Sequence, residues 1–491
     1  MATAKAPALQ GACNFFIGIK QMAQNVAIPP AFEQQMTELL GKEETLRLLN
    51  SLEDAPPVSI RINPNKWIEE NAFIELKELL PIPWCNNGFY LSERPRFSEI
   101  PQFHGGAFYV QEASSMALHA VKSLLTEREP MVALDLCAAP GGKSTLLRDI
   151  LPDKSVLISN EIVPARAHIL CENMIKWGHP EQIVTRSAPA QWRETGLLFD
   201  LILVDAPCSG EGMFRKDQNA RAEWSIDAVD TCAKRQREIL DCAWPLLSPG
   251  GVLVYSTCTF NIKENEEQLD YLVQRYGVQP MALDLDVPVS AHGKHICYRF
   301  MPHLTKGEGL FMAVLQKTDG MDIKKINISA GNTKKGKQIS RPPMITDDVK
   351  NWVGNSSGYE WEMDKEGIVH AMSNTVSEIK RRLFDKNIEV LSFGIAVAEN
   401  KGRKWMPAPA LAMSSRLNRD IFDIYDINRQ DALKYLKREA IIVPESIKKG
   451  YVLITHKNLP LGFVNHLGNR SNNLYPSHWR IRHLSETGTD D

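Results

Sequence analysis

Nine cysteines are spread through this 491-residue chain without a single Cys-x-x-Cys pair. The spacing that zinc ribbons and thiol–disulfide exchange sites need is missing, so no metal site is expected. Several of the thiols sit inside apolar runs. That argues against a disulfide framework and for reduced cysteines in a cytoplasmic protein. No apolar run reaches the roughly 20 residues that cross a bilayer, so no membrane partner is expected. Gln10, Asn14 and Lys20 interrupt the mildly apolar start, and no signal peptide is read there. Internal repeats are absent. A large net charge is missing too, since 57 Lys and Arg face 59 Asp and Glu. The balance hides an asymmetry: residues 321–491 carry 27 basic side chains against 20 acidic ones. Such a surplus suits a phosphate-bearing partner, and solvated surface charge explains it equally well.

What is present is the composition of a globular protein, 43% hydrophobic and 24% charged, and long enough for more than one domain. Residues 1–24 read as a disordered extension. Residues 25–100 read as a small α+β domain. There, Phe32, Met36, Leu39, Leu40, Leu46, Leu49 and Leu52 recur at helical spacing over 31–52. Pro56-Pro57 stops the helical part, and Val58–Asn63 alternates as a strand. Residues 101–318 form the central domain. Apolar β-rich runs at 131–136, 155–160, 182–186, 199–204, 251–256 and 310–316 are predicted strands, and helical stretches separate most of them. Regular strand–helix alternation predicts a parallel sheet covered on both faces. Residues 319–345 read as a linker, with Lys324, Lys325, Lys334, Lys335, Lys337 and Arg341 among Gly, Ser and Asn. Residues 346–491 are a C-terminal region ending in a β-rich tail, with strands expected at Tyr451–Ile454 and Leu461–Val464.

Three segments follow predicted strands and carry chemistry. The first is Cys137-Ala138-Ala139-Pro140-Gly141-Gly142-Lys143, between a strand and a helix. Its two glycines let the backbone turn sharply and let a ligand approach. The helix N-terminus would favour negative groups on that ligand. The spacing fits neither GxGxxG nor a P-loop. Glu161 ends the next strand, where an acid can accept both ribose hydroxyl protons. The set suits S-adenosylmethionine as well as a dinucleotide; an ordinary turn with a surface Glu is the plain alternative.

The other two segments are Asp205-Ala206-Pro207-Cys208-Ser209-Gly210 and Tyr255-Ser256-Thr257-Cys258-Thr259. Each places a cysteine at the C-terminal edge of the sheet, where ligands bind in open α/β folds. Two thiols and a carboxylate there suit covalent catalysis on a pyrimidine. A thiolate adding to C6 of cytosine makes C5 nucleophilic towards a methyl group, and Asp205 at N3 would stabilise the ring charge. A second group must then help proton loss and thiol release, and Cys208 is placed for it. An amino-methyltransferase loop would carry an aromatic where Cys208 stands, so carbon methylation is favoured. Lys143 is the candidate cation for thiolate character. The loop Glu211–Asp217 offers an aromatic and two cations for a flipped-out nucleotide. Cys171, Cys232, Cys242 and Cys297 read as small buried hydrophobes.

Asp135–Ser144, Asp205–Lys216 and Tyr255–Thr259, in this order, resemble the Nop/Sun RNA (cytosine-5) methyltransferases. Phe108–Met116, Pro302-His303, Gly307-Glu308-Gly309 and Arg61 with Asn63 are similar to the same family. The resemblance covers about residues 25–317. Leu461-Gly462, Gly468, Arg470, Asn473 and Tyr475-Pro476 resemble the PUA-like domain of its bacterial F-type branch, which acts on small-subunit ribosomal RNA. The resemblance implies a Rossmann-like seven-stranded core with one antiparallel strand near its end, flanked by the small N-terminal RNA-binding domain and the β-rich C-terminal domain. It implies Cys258 as nucleophile, Cys208 as the residue that helps release product, and Asp205 touching both cytosine and methyl donor. Residues Cys137 to Lys143 and Glu161 would hold S-adenosylmethionine. The partner would be RNA, and the chain a monomer. Residues 1–21 lie outside the pattern, which would start at Met22. One departure stands out: Arg186-Ser187-Ala188-Pro189-Ala190 has no acid where the family has one near adenine. Backbone groups or Ser187 would take its place. A transfer RNA substrate, or a non-catalytic ribosome assembly factor, are the other readings. Deleting residues 320–491 is expected to weaken RNA binding more than cofactor binding.

Overall fold

The computed structural model describes residues 26–66, 79–125, 129–285, 287, 290, 294–318, 344–402 and 404–482. The expected extension at 1–24 and residues 319–343 of the expected linker lie outside the described residues. Helices Pro30–Leu40 and Lys42–Glu53 open the described chain. The helical spacing over 31–52 is thus split in two at Gly41, whose φ of 80° any other residue would adopt at a cost. Phe32, Met36, Leu48 and Leu52 bury their side chains against Phe214, Trp224 and Phe260. Those three partners flank the two cysteine segments, so the entry helices brace the central domain.

Four antiparallel strands follow: β1 (Val58–Ile62), β2 (Leu80–Ile82), β3 (Cys85–Leu91) and β4 (Phe108–Val110), in the order β2-β3-β1-β4. β4 lies past residue 100 in sequence but closes this small sheet by pairing Ile60 with Val110. Arg61 of β1 points away from its own sheet and is fully buried. It donates to Gln111 Oε1 (2.8 Å), to Thr145 Oγ1 (2.5 Å) and to Asp149, and its guanidinium lies 4.5 Å over the Trp177 ring. Asn63 donates to the carbonyls of Gly106 and Trp177. The small sheet is therefore pinned to the helices of the central domain by buried polar side chains.

The central sheet runs β10-β11-β9-β8-β5-β6-β7. Its strands are β5 (Val132–Asp135), β6 (Val156–Asn160), β7 (Gln182–Arg186), β8 (Phe199–Asp205), β9 (Leu247–Thr257), β10 (Tyr298–Phe300) and β11 (Leu310–Gln316). The β6, β7, β8 and β9 pairings around β5 are parallel, and β11 runs antiparallel to both neighbours. The apolar strand residues are almost wholly buried because helices such as Gly142–Ile150, Pro164–Trp177 and Ile226–Ala243 cover both faces. The seven-stranded Rossmann-like core expected from sequence is present.

The C-terminal region adds β12 (Glu360–Met363), β13 (Ile368–Met372), β14 (Glu389–Phe393), β15 (Ile395–Asn400) and β16 (Trp405–Pro407). β14 does not join its neighbours. It pairs antiparallel with β7 and makes the central sheet eight-stranded. An exposed edge at β7 is thereby capped. Ser373 Oγ donates to Glu181 beside this seam (2.5 Å). β17 (Asp423–Asp426), β18 (Gly450–His456), β19 (Leu459–His466) and β20 (Ser471–Asn473) form the last sheet. It shares one apolar core with β13 and β15. Among the described residues no helix is long and apolar enough to cross a membrane.

Candidate active site

The strand order reverses at β5, whose neighbours are β6 and β8. Crevices at such a switch point are where open α/β sheets take their ligands. Asp135, Asn160, Asp205 and Thr257 end β5, β6, β8 and β9. All four loops of interest therefore leave the sheet at one edge.

The β8–β9 register sets Asp205 beside Ser256. Ser256 Oγ donates to Asp205 Oδ1 (2.8 Å), and the Ala206 amide donates to the Ser256 carbonyl (2.9 Å). Both chains then turn to the same side, and Cys208 Sγ comes within 3.1 Å of Cys258 Sγ. Fifty residues of sequence separate the two thiols, and both are half-buried. Lys143, in the first turn of helix Gly142–Ile150, reaches Asp205 Oδ1 at 2.9 Å. Burial works against its charge, but Asp205, Cys258 and Glu112 outweigh that and hold the ammonium above its ordinary range. The Cys208 thiol is pushed well up by its hydrogen bond with Cys258, then by burial, then by the charge of Cys258, with Glu264 adding a smaller push.

In the glycine loop, Gly141 takes φ 114° and opens helix Gly142–Ile150, whose first amides receive no side-chain cap. Ala138 donates its amide to the Asn160 carbonyl (2.8 Å). Arg166 and Asn173 donate to the carbonyls of Ala139 (2.6 Å) and Pro140 (2.8 Å). These bonds fasten the loop carbonyls outwards to helix Pro164–Trp177. Beneath the loop, Asp135 accepts from Ser144 Oγ (2.6 Å), and burial pushes its carboxyl up to about 7. The Cys137 thiol is pushed well up by burial and the surrounding carboxylates, which suits a packing role. Glu161 is nearly buried; it accepts from the Val163 amide (2.9 Å) and lies 3.5 Å from Arg166. Ile162 and Val163 next to it are exposed at 55% and 42%.

Ser187 corrects one expectation. Its hydroxyl turns inwards to Asn160 Oδ1 (3.1 Å) and is buried, because Asn160 also ties the loop to Thr185 and Leu136. Of the two expected substitutes for the missing acid, the backbone groups remain. The four cysteines read as buried hydrophobes also divide: Cys297 is buried, whereas Cys171, Cys232 and Cys242 are half-buried. Among the described residues, no group of three or more His, Cys, Asp or Glu is arranged to hold a metal ion.

Several contributors are illegible in the sequence. Ser256 is one, visible only once the β8–β9 register is known. Arg166, Gln236 and Glu264 are others, because they act across 27 to 55 residues of chain. Ile162 carried a signal, an apolar residue directly after the strand-ending acid.

Comparison with known proteins matches each part. A family model for 16S rRNA methyltransferase RsmB/F covers residues 122–316. Models for the N-terminal domain of 16S rRNA methyltransferase RsmF and for the methyltransferase RsmF PUA domain cover 28–113 and 422–481. The ribosomal RNA small subunit methyltransferase F of Citrobacter koseri is 31% identical over 484 residues, 93% of this chain and 97% of that protein. The Escherichia coli protein of the same name is 30% identical over 482 residues, with the same two coverages. The crystal structure of a methyltransferase homolog protein from Pyrococcus horikoshii superposes with a TM-score of 0.52 at 26% identity, covering 60% of this chain and 96% of its own. With the core, both flanking domains and nearly the whole length accounted for, the chain belongs to the family of ribosomal RNA small subunit methyltransferase F.

Proposed function

We propose that this protein transfers a methyl group to C5 of a cytosine in small-subunit ribosomal RNA, through a transient bond between Cys258 Sγ and C6 of the ring. The observation that carries the reading is the pair of thiols 3.1 Å apart, beside a Lys143–Asp205 ion pair, at the sheet's C-terminal edge next to its switch point. Residues Cys137 to Lys143 and Glu161 are the ones that would hold S-adenosylmethionine. The uncapped helix N-terminus, the near-buried acid and the exposed Ile162 fit a nucleoside with a carboxylate tail. That donor supplies an electrophilic methyl group when bound.

The chain's own residues account for the rest. Lys143 faces both Asp205 and Cys258 and offsets the negative charge when Cys258 becomes a thiolate. The thiolate forms the C6–S bond, and the electron pair displaced from the C5–C6 double bond onto C5 would form the new C–C bond as the donor's S–CH3 bond breaks to leave a neutral thioether. Asp205 would meet N3 of the base and steady the charge that develops on the ring. Elimination then releases the C5 proton to solvent, and its electron pair reforms the C5–C6 double bond as the C6–S bond breaks. The departing sulfur returns beside the protonated Cys208, whose S–H stabilises it as a leaving group. Phe214 of the Glu211–Asp217 loop is buried among Phe32 and Trp224, and Arg215 is nearly buried beside Glu308, so the exposed Lys216 and the basic C-terminal region are what would engage RNA phosphates.

The test is calorimetric titration with S-adenosylmethionine, followed by tritium release from C5-labelled cytosine in ribosomal RNA and in small subunits. Binding with release supports the reading. Binding without release favours a non-catalytic assembly factor, and release from transfer RNA alone favours the other substrate. Bisulfite mapping of cellular RNA with and without the protein then locates the nucleotide.

A further inference from the structure

Cys208 is held from behind. The carbonyl of Pro207 accepts from Gln236 Nε2 (3.0 Å), and the amide of Ser209 donates to Glu264 Oε2 (3.0 Å). The same Gln236 Nε2 donates to Glu264 Oε2 (2.8 Å), and Asn261 Nδ2 donates to Glu264 Oε1 (2.7 Å). Gln236, Asn261 and Glu264 are buried to within 1%. Gln236 comes from helix Ile226–Ala243 and Glu264 from the turn six residues after Cys258. The peptide groups on both sides of one catalytic candidate are thus fixed by a turn that belongs to the other.

We propose that Glu264, together with Gln236, is the positioning element for Cys208: it clamps the peptide groups flanking that cysteine and sets a buried negative charge behind its thiol. The inference rests on the release role given to Cys208 above. Glu264 accepts from the Ser209 amide and from the side-chain amides of Gln236 and Asn261, with the Ser209 hydroxyl also near it, a donor set that suits an ionised carboxylate. Burial raises Glu264, its hydrogen bonds from Ser209 and Asn261 pull it back, and Glu211 adds a smaller upward push. The groups that face Cys208 are Cys258, just past the end of β9, and Glu264 itself. Around Glu264 stand Glu211 from the loop, Cys232 from helix Ile226–Ala243 and Tyr255 from β9. Arg235 acts on Cys232 in this cluster, while Glu264 is the charged residue that pushes on Cys208 and Lys143 lies on the Asp205 side of the two thiols. The two thiols 3.1 Å apart therefore have different charged neighbours, with Glu264 behind Cys208 and Lys143 on the Asp205 side of the pair.

Glu264→Gln keeps the size and removes the charge. In the full-length protein, iodoacetamide labelling of Cys208, followed by mass spectrometry against pH, should rise about tenfold at pH 7.5, one unit of thiol pKa. S-adenosylmethionine affinity by calorimetry should stay within about twofold. With RNA, a complex that survives denaturing gels should accumulate. Gln236→Ala leaves the charge and loosens the Pro207 clamp; it should slow turnover without changing the labelling profile. An unchanged Cys208 profile in Glu264→Gln overturns the charge role, and full turnover in folded Gln236→Ala overturns the clamp. The labelling needs no RNA, so it gives its answer even if the RNA reaction itself were absent.

Discussion

Replacing Arg61 by Met removes the cation bonded to Asp149, a carboxylate only 4% exposed on helix Gly142–Ile150. The thioether fills much of the same volume, so the loss is electrostatic. Breaking a buried ion pair from one side costs about 3–5 kcal/mol, because the remaining charge is left unpaired. Arg61 also donates to Thr145 and Gln111, so the helix behind the glycine loop takes the whole penalty. Hydrogen exchange of residues 142–150 reads it directly: local opening should become about 10²- to 10⁴-fold more frequent. The sign of the pH dependence follows from Asp149. Burial pushes its carboxyl up to about 6, with Arg61 and the Trp177 indole N–H pulling it back. A folded value above the unfolded one of about 3.9 means that the folded state binds more protons between roughly pH 4 and 6. Stability from this group is therefore lost as pH rises through that window. Without Arg61 the upper edge moves higher, so the variant's deficit should be largest near pH 8 and shrink towards pH 5. Exchange at 142–150 that changes less than about tenfold at pH 8, or a deficit that grows on acidification, would refute the reasoning.

Cys258→Ala should abolish tritium release and leave S-adenosylmethionine binding intact, whereas Cys208→Ala should still bond RNA and release it slowly, seen as a band that survives denaturing gels. Glu161→Ala should weaken S-adenosylmethionine by about 10- to 100-fold in calorimetry, the loss of one or two charged hydrogen bonds. Gly212→Ala should cut turnover and cost about 1–3 kcal/mol in chemical denaturation, because its Cβ would lie 2.8 Å from the Cys258 carbonyl oxygen and 3.0 Å from that of Glu308. Deleting residues 344–491 should lower the thermal midpoint and weaken cofactor and RNA binding together, since β14 leaves β7. That outcome replaces the expectation of a selective loss of RNA binding.

Local patterns carried the central domain. Apolar runs separated by helical stretches could only stack as a covered parallel sheet, and the strand at 310–316 was found to the residue. The chemistry-bearing loops were legible for the same reason, because each follows its strand directly. The entry helices were read without their break, since Gly41 lies inside an otherwise continuous apolar period. β4 and β14 were assigned to segments by chain position, and pairing decided otherwise. A strand of three to five residues carries no mark of which sheet it will join.

Residue types and their order along the chain therefore determined the architecture, the glycine loop, the strand-ending acid and the two cysteine segments. These depend on periodicity and on neighbours in sequence. Tertiary structure alone decided that two sulfurs 50 residues apart would meet at 3.1 Å, that Lys143 would face one of them, and that Glu264 would stand behind the other. Those facts depend on strand register and on buried polar groups finding partners across the fold, and neither is written in any local stretch of chain.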